Sequence, residues 1–403
     1  MSKLPSPGQA VFKGRVAQQG DNLDVSAELI DARDNSHIWG QQYDRKLADV
    51  IVLREEIARE ITTALRVRLS GDDTKRMVKN YTANPEAYQL YLQGRFWWNK
   101  QTEDGLNKGI EYFQQAIQKD PTYALAYTGL ADCNVSLAAD GFVAPKEAFP
   151  KGKDSALKAL EIDESLAEAH TSVGAVKTYY EWDWSGAIEE FQRAIGLNPA
   201  YAMAHWRYGI ALVHTGRVEQ AVAEEKRALE LDPLSLSVNF GLGQAFFAAT
   251  QYDQAIEQLQ RTLELDPNFI LARPALAFAY VQKSMYKEAI AESEKALAIS
   301  PGNATALSNL GYTYAVEGRS VDAQKVLNEL AELSKRKYVP AIRIAPIYAG
   351  LGERDVAFMW LEKSYEDRSI GTIFTTINVD PRFDPLRSDP RFQDLLRRMN
   401  LQP

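Results

Sequence analysis

Prolines stand at 199, 233, 267 and 301, each 34 residues after the last, and this spacing leaves the chain few ways to fold. A 34-residue unit repeated end to end cannot bury its apolar face alone. It must stack on its neighbours, so the repeat sets the core and the chain length does not. Each interval holds two stretches of helical periodicity around a short turn, which predicts two antiparallel helices with the proline ending the second. Counting Ala202, Leu236 and Ile270 as position 1, position 8 is Gly209, Gly243 and Ala277, and position 20 is Ala221, Ala255 and Ala289. The frame runs on through Gly311 and Ala323 to Ala345 and Ala357. Small side chains at these points let two helix backbones cross closely. Tyr208 and Leu212, Leu242 and Phe246, Leu276 and Tyr280, and Leu310 and Tyr314 recur at i, i+4 beside the crossings, one buried stripe per first helix.

This frame resembles the tetratricopeptide repeat family, over about three quarters of the chain. The resemblance implies a mainly all-α protein, a right-handed solenoid of helix pairs, preceded here by a small α+β block. Eight repeats are expected, at 85–121, 122–164, 165–199, 200–233, 234–267, 268–301, 302–335 and 338–369. The first lengthens its turn between Asn99 and Gly105. The second carries an insertion from Ala139 to Pro145, and the third has one extra residue near Trp182-Asp183-Trp184. Residues 370–403 repeat the phrase Asp-Pro-Arg-Phe at 380–383 and 389–392, and read as a cap over the last apolar face.

Ahead of the repeats, residues 1–9 read as a lead-in and 71–84 as a polar linker. Between them, alternation of apolar and polar residues predicts strands within about 10–45. A helical period follows at about 49–69, with Val52, Ile57, Ile61, Leu65 and Leu69 on one face. Phe12-Lys13-Gly14-Arg15-Val16, Ala27-Glu28-Leu29-Ile30-Asp31-Ala32, His37-Ile38-Trp39-Gly40, Tyr43-Asp44-Arg45 and Glu55-Glu56-Ile57-Ala58 resemble the second half of a TolB-like amino-terminal domain. In bacterial sensory proteins that domain precedes such repeats, which implies the docking or sensory part of a regulator. Three strands and a helix leave an edge to cover, so self-association through this block is expected.

Charge and composition exclude several functions. From residue 85 onward 33 lysines and arginines face 42 acids, which opposes contact with a phosphate backbone, so no nucleic-acid partner is expected. No run of 18 apolar residues or signal-peptide core occurs, which predicts no membrane segment and a cytoplasmic location. The lone Cys133 rules out an internal disulfide framework. His170 and His205 fall at position 4 of successive repeats, too far apart to share a metal ion. Gly241-Leu242-Gly243 lacks the strand and third glycine of a phosphate cradle, and no nucleophile or nucleotide motif appears. The chain is therefore read as non-catalytic, with no catalytic residue, metal or cofactor.

What remains is the inner face of the first helices, lined in the tetratricopeptide family by positions 2, 5, 9, 12 and 13. Carried over with position 6, this yields Trp206, Arg207, Ile210, Phe240, Gln244, Phe247, Phe278, Asn309 and Tyr312 as candidate peptide-binding residues. The resulting groove is apolar and aromatic, suited to a peptide or helix of a protein partner. The alternative is a small-ligand sensor using that groove or the N-terminal block. A continuous channel would favour the peptide, and a closed pocket with convergent polar groups the small ligand.

Overall fold

The computed structural model describes residues 10–46, 49–65, 82–369 and 377–401. The expected lead-in at 1–9, most of the linker, the end of the first helix beyond 65 and the start of the cap lie outside the described residues. The chain divides into two compact units, one of residues 1–93 with 114–123, the other of 94–113 with 124–403.

In the first unit, β1 (Ala10–Gln19), β2 (Asn22–Asp31) and β3 (His37–Lys46) form an antiparallel meander in that order. β1 and β2 join through Gly20-Asp21, where Gly20 takes a φ of 60°, the left-handed value that a two-residue hairpin turn requires. Leu23, Val25, Ala27 and Leu29 alternate along β2 and are buried. Leu23, Val25 and Ala27 share a core with Tyr43 of β3 and Leu53 of α1 (Val50–Ala64). The face of α1 on this core is Val50, Leu53 and Ile57, spaced i, i+3, i+7. Val52, placed on the buried face by periodicity, is 65% exposed, because it lies one helical step off that stripe. Among the described residues, strands are confined to 10–46.

The second unit is built of helix pairs. Ala124–Ala139 pairs with Pro145–Ile162, Ala167–Val176 with Trp184–Leu197, Ala202–His214 with Val218–Leu231, and Leu236–Ala248 with Tyr252–Leu265. Ala272–Gln282 then pairs with Tyr286–Ile299, Ala304–Val316 with Ser320–Ser334, and Ala345–Gly350 with Arg354–Glu366. Each first helix also touches the first helix of the next pair. First helices are therefore buried nearly all round, as in Leu236–Ala248, whereas second helices bury a single stripe, as Ala255, Gln258, Leu259 and Thr262 do in Tyr252–Leu265. The crossings are tight: a Cβ on Gly174 would lie 2.6 Å from the Phe191 ring, and one on Gly243 2.9 Å from Leu259. The extra residue of the third pair is absorbed by a π-helical turn, Lys177–Glu181, ended by Trp182 at a φ of 57°.

Both Asp-Pro-Arg-Phe phrases start a helix in the same way. Asp380 accepts from the Arg382 backbone N–H at 2.9 Å and opens the short 3-10 helix Pro381–Leu386. Asp389 accepts from Arg391 at 3.0 Å and opens Pro390–Arg398. Phe383 and Phe392 enter a core with Phe358 and Leu361 of the last pair, and with Trp182 and Trp184 of the third-repeat turn. Trp184 Nε1 donates to the Met399 carbonyl at 2.8 Å, and Asn378 Nδ2 to the His214 carbonyl at 3.3 Å. The end of the chain thus returns to helices some two hundred residues earlier. Among the described residues, no helix is long and apolar enough to cross a membrane.

Candidate functional site

The first helices present their side chains to a cavity of about 100 Å³ that the C-terminal segment helps to close. Seven candidate residues line it: Trp206, Arg207, Ile210, Phe240, Gln244, Phe278 and Asn309. Phe247 and Tyr312 stand outside its wall. Phe247 packs on the Phe278 ring with centroids 4.7 Å apart, and Tyr312 meets Phe278 edge-on at 6.3 Å, so the three rings form a ladder across three successive pairs.

The wall also carries charge, which an aromatic groove did not foretell. Arg207 is 6% exposed; its Nη1 donates to the Tyr179 hydroxyl at 3.1 Å and its guanidinium lies 4.3 Å from the Trp206 ring centroid. Arg382 is 2% exposed and comes from the C-terminal segment. It grips Asp380 with Nε and Nη2, at 3.0 and 2.6 Å, donates to Asn309 Oδ1 at 3.2 Å and lies 4.4 Å from the Phe278 centroid. Asn309 is held in turn, its Nδ2 donating to the Pro274 carbonyl at 2.6 Å. Arg343 is 4% exposed, and burial, with Arg382 nearby, lowers its pKa to about 10. Asp140 enters from the insertion in the second repeat with its carboxyl turned inward; burial pushes its pKa up to about 7, against the pull of Arg207 and Arg343.

Behind the wall, Glu225 sits at the crossing with Gly209, where other pairs place Phe191, Leu259 or Val326. Burial raises its pKa well above the ordinary value. Its Oε2 and Trp206 Nε1 are buried without a hydrogen-bond partner, and both crowd the place where Gly241 would carry a Cβ. Sequence reasoning did not single out Asp140, Glu225, Arg343 or Arg382 as site residues. Two signals could have found some of them: the insertion at 139–145 and the duplicated Asp-Pro-Arg-Phe phrase.

The histidines serve the scaffold. His170 has Glu190 Oε2 at 2.7 Å from one ring nitrogen and the Glu164 carbonyl at 3.0 Å from the other; His205 repeats this with Glu224 at 2.6 Å and the Pro199 carbonyl at 3.1 Å. The next two pairs place Asn239 with Gln258 and the Pro233 carbonyl, then Arg273 with Glu292 and the Pro267 carbonyl. His214 stacks on Trp184 with centroids 5.0 Å apart, and burial lowers its pKa to about 3. Among the described residues, no group of three or more His, Cys, Asp or Glu could hold a metal ion.

Comparison with known families gives matches to three models, each of tetratricopeptide repeats: residues 180–235, 243–284 and 280–336. The chain is a tetratricopeptide repeat protein. Its repeats make it a protein–protein interaction scaffold in general character. Among curated proteins it is 27% identical over 220 residues to "Putative adenylate cyclase 3" of Rhizobium meliloti, covering 52% of this chain. It is 28% identical over 137 residues to "Transcriptional regulator HilA" of Salmonella typhimurium, covering 34% of this chain. The match spans 30% of the first relative's length and 25% of the second's. Among solved structures, the human IFIT1 dimer with m7Gppp-AAAA matches at a TM-score of 0.51 and 13% identity, over 78% of this chain and 76% of that one. PilF of Pseudomonas aeruginosa matches at 0.41 and 21%, over 59% and 98%. The likeness to IFIT1, at 13% identity, concerns the fold alone.

Proposed function

We propose that the chain is the docking part of a bacterial regulator, taking a peptide of a protein partner along the inner face of its first helices. The observation that carries this reading is that a segment of the chain itself, residues 377–386, already lies there, with Arg382 over Phe278 and bonded to Asn309. An arginine stacked on an aromatic ring and tied to an amide is a mode of anchoring that a partner peptide can reuse. The names of the curated relatives, a cyclase and a transcriptional regulator, support a place beside an output domain, as does the TolB-like resemblance of residues 12–58.

A labelled peptide of residues 377–401 tests the reading. It should bind the full chain carrying Arg382→Ala and Phe383→Ala, whose own segment is loosened, and bind wild type far more weakly. Adding Phe278→Ala should abolish the binding. Equal binding by all three proteins, or none, defeats the proposal.

A second reading, a small-ligand sensor, is favoured by the cavity itself, on which Asp140, Arg207, Asn309, Arg343 and Arg382 converge.

A further inference from the structure

Among the described residues lining the cavity, Asp140 is the sole acid beside three arginines. The three come from separate parts of the fold: Arg207 from the fourth repeat, Arg343 from the short 3-10 helix Ala341–Arg343, and Arg382 from the C-terminal segment. Asp380 lies behind Arg382 and is committed to it through a paired hydrogen bond. Glu225, the other acid near Arg207, is fully buried beside Trp206 and Gly241 and is not part of the lining.

The three arginines are buried, and buried positive charge is costly unless anions meet it. The rest of the lining mixes the rings of Trp206, Phe240 and Phe278 with polar side chains such as Ser136, Gln244 and Asn309. The volume, about 100 Å³, is somewhat below the roughly 150 Å³ that accepts benzene in an engineered cavity, so it fits a compact molecule and not a peptide strand. A wider outer recess shares Asp140, Phe142, Ile270, Asn303 and Thr305 with the cavity and offers a way in. That recess carries Glu103 and Asp104 as well as Lys337, so selection for charge belongs to the inner chamber.

We propose that the cavity binds a small organic acid, its carboxylate held among Arg207, Arg343 and Arg382 and its carbon skeleton against Trp206 and Phe278. The proposal rests on the sensor reading and is independent of peptide docking. Because Arg382 belongs to the C-terminal segment, the acid also fastens that segment to the repeats.

Succinate serves as the probe, with its neutral analogue succinamide and sodium chloride at matched ionic strength as comparisons. Isothermal titration on the full chain should show saturable one-to-one binding of succinate, and the melting midpoint should rise with it. Succinamide and sodium chloride should do neither. Arg207→Gln and Arg343→Gln should each weaken succinate by about tenfold or more, the loss of a charge-assisted bond. Asp140→Asn covers the case in which those variants fail to fold: removing the sole lining acid should tighten succinate several-fold. Succinamide binding as well as succinate overturns the acid assignment and leaves a sensor. Binding by neither overturns both. An acidic hexapeptide binding more tightly than free succinate overturns the small-molecule assignment.

Discussion

At Glu225 the chain places a carboxyl where the third and fifth repeats place Phe191 and Leu259 against the crossing glycine. A buried polar atom without a hydrogen-bond partner, as Glu225 Oε2 is, costs about 1–3 kcal/mol, so Glu225→Leu should raise the denaturation midpoint. The sign with pH follows from its raised pKa. The folded state keeps the proton that the unfolded chain releases above its ordinary value, so wild type loses stability as pH climbs past that point. The advantage of Glu225→Leu should therefore be larger at pH 8 than at pH 5, and denaturant melts at both values measure it. Glu190 shows the opposite sign. His170, and then Lys177, hold its carboxyl at about 2, so its stabilisation is complete above the ordinary range near 4.5 and is lost as pH falls toward 2. Glu190→Gln should flatten that acid limb by up to about 3 kcal/mol.

Between helices, the crossing glycines differ in what they face, and their substitutions should differ too. A Cβ on Gly174 meets the Phe191 ring at 2.6 Å, and that ring is fully enclosed. Gly174→Ala should cost about 1–3 kcal/mol through overpacking. Gly209→Ala meets Glu225, at 2.6 Å from Oε1 and 2.9 Å from Cγ, an unbranched side chain that gives way more readily than a rigid ring, and should cost less, although the two glycines occupy the same place in their repeats. A calorimetric comparison of the two variants decides it; equal losses would mean that the crossing backbone and not the facing side chain sets the tolerance. The 34-residue frame shows where these glycines must lie because close approach is a local demand of one helix pair. It does not show what faces them, since Phe191 and Glu225 occupy one frame position.

Across the whole second unit, the C-terminal segment joins the last helix pair to the third-repeat turn. Phe383→Ala opens the core that holds Trp182, Trp184 and Phe392 and should cost about 3–5 kcal/mol. Hydrogen exchange should rise at 177–184 as well as at 377–401; a rise confined to the C-terminal segment would show the two regions to be uncoupled. Acid should act on the same junction. His214 lies against Trp184, and burial lowers its pKa to about 3, so the unfolded chain takes up a proton below about 6.5 that the folded one refuses. Stability should fall between those values, and His214→Phe should remove that part of the slope. The seven cavity-lining candidates came from the resemblance to the tetratricopeptide family, whereas the repeat frame, the helix pairs and the stripe between crossings were legible in the sequence itself. Those three follow from periodicity, and periodicity reports contacts within a pair and between neighbours. The face of α1 was misread at Val52, because the helix meets the sheet along Val50, Leu53 and Ile57. Asp140, Arg343 and Arg382 became neighbours of Arg207 only in three dimensions. An insertion, a single 3-10 turn and a duplicated tail phrase carry no period, and only the return of residues 377–401 onto the earlier helices brings their charges to one cavity.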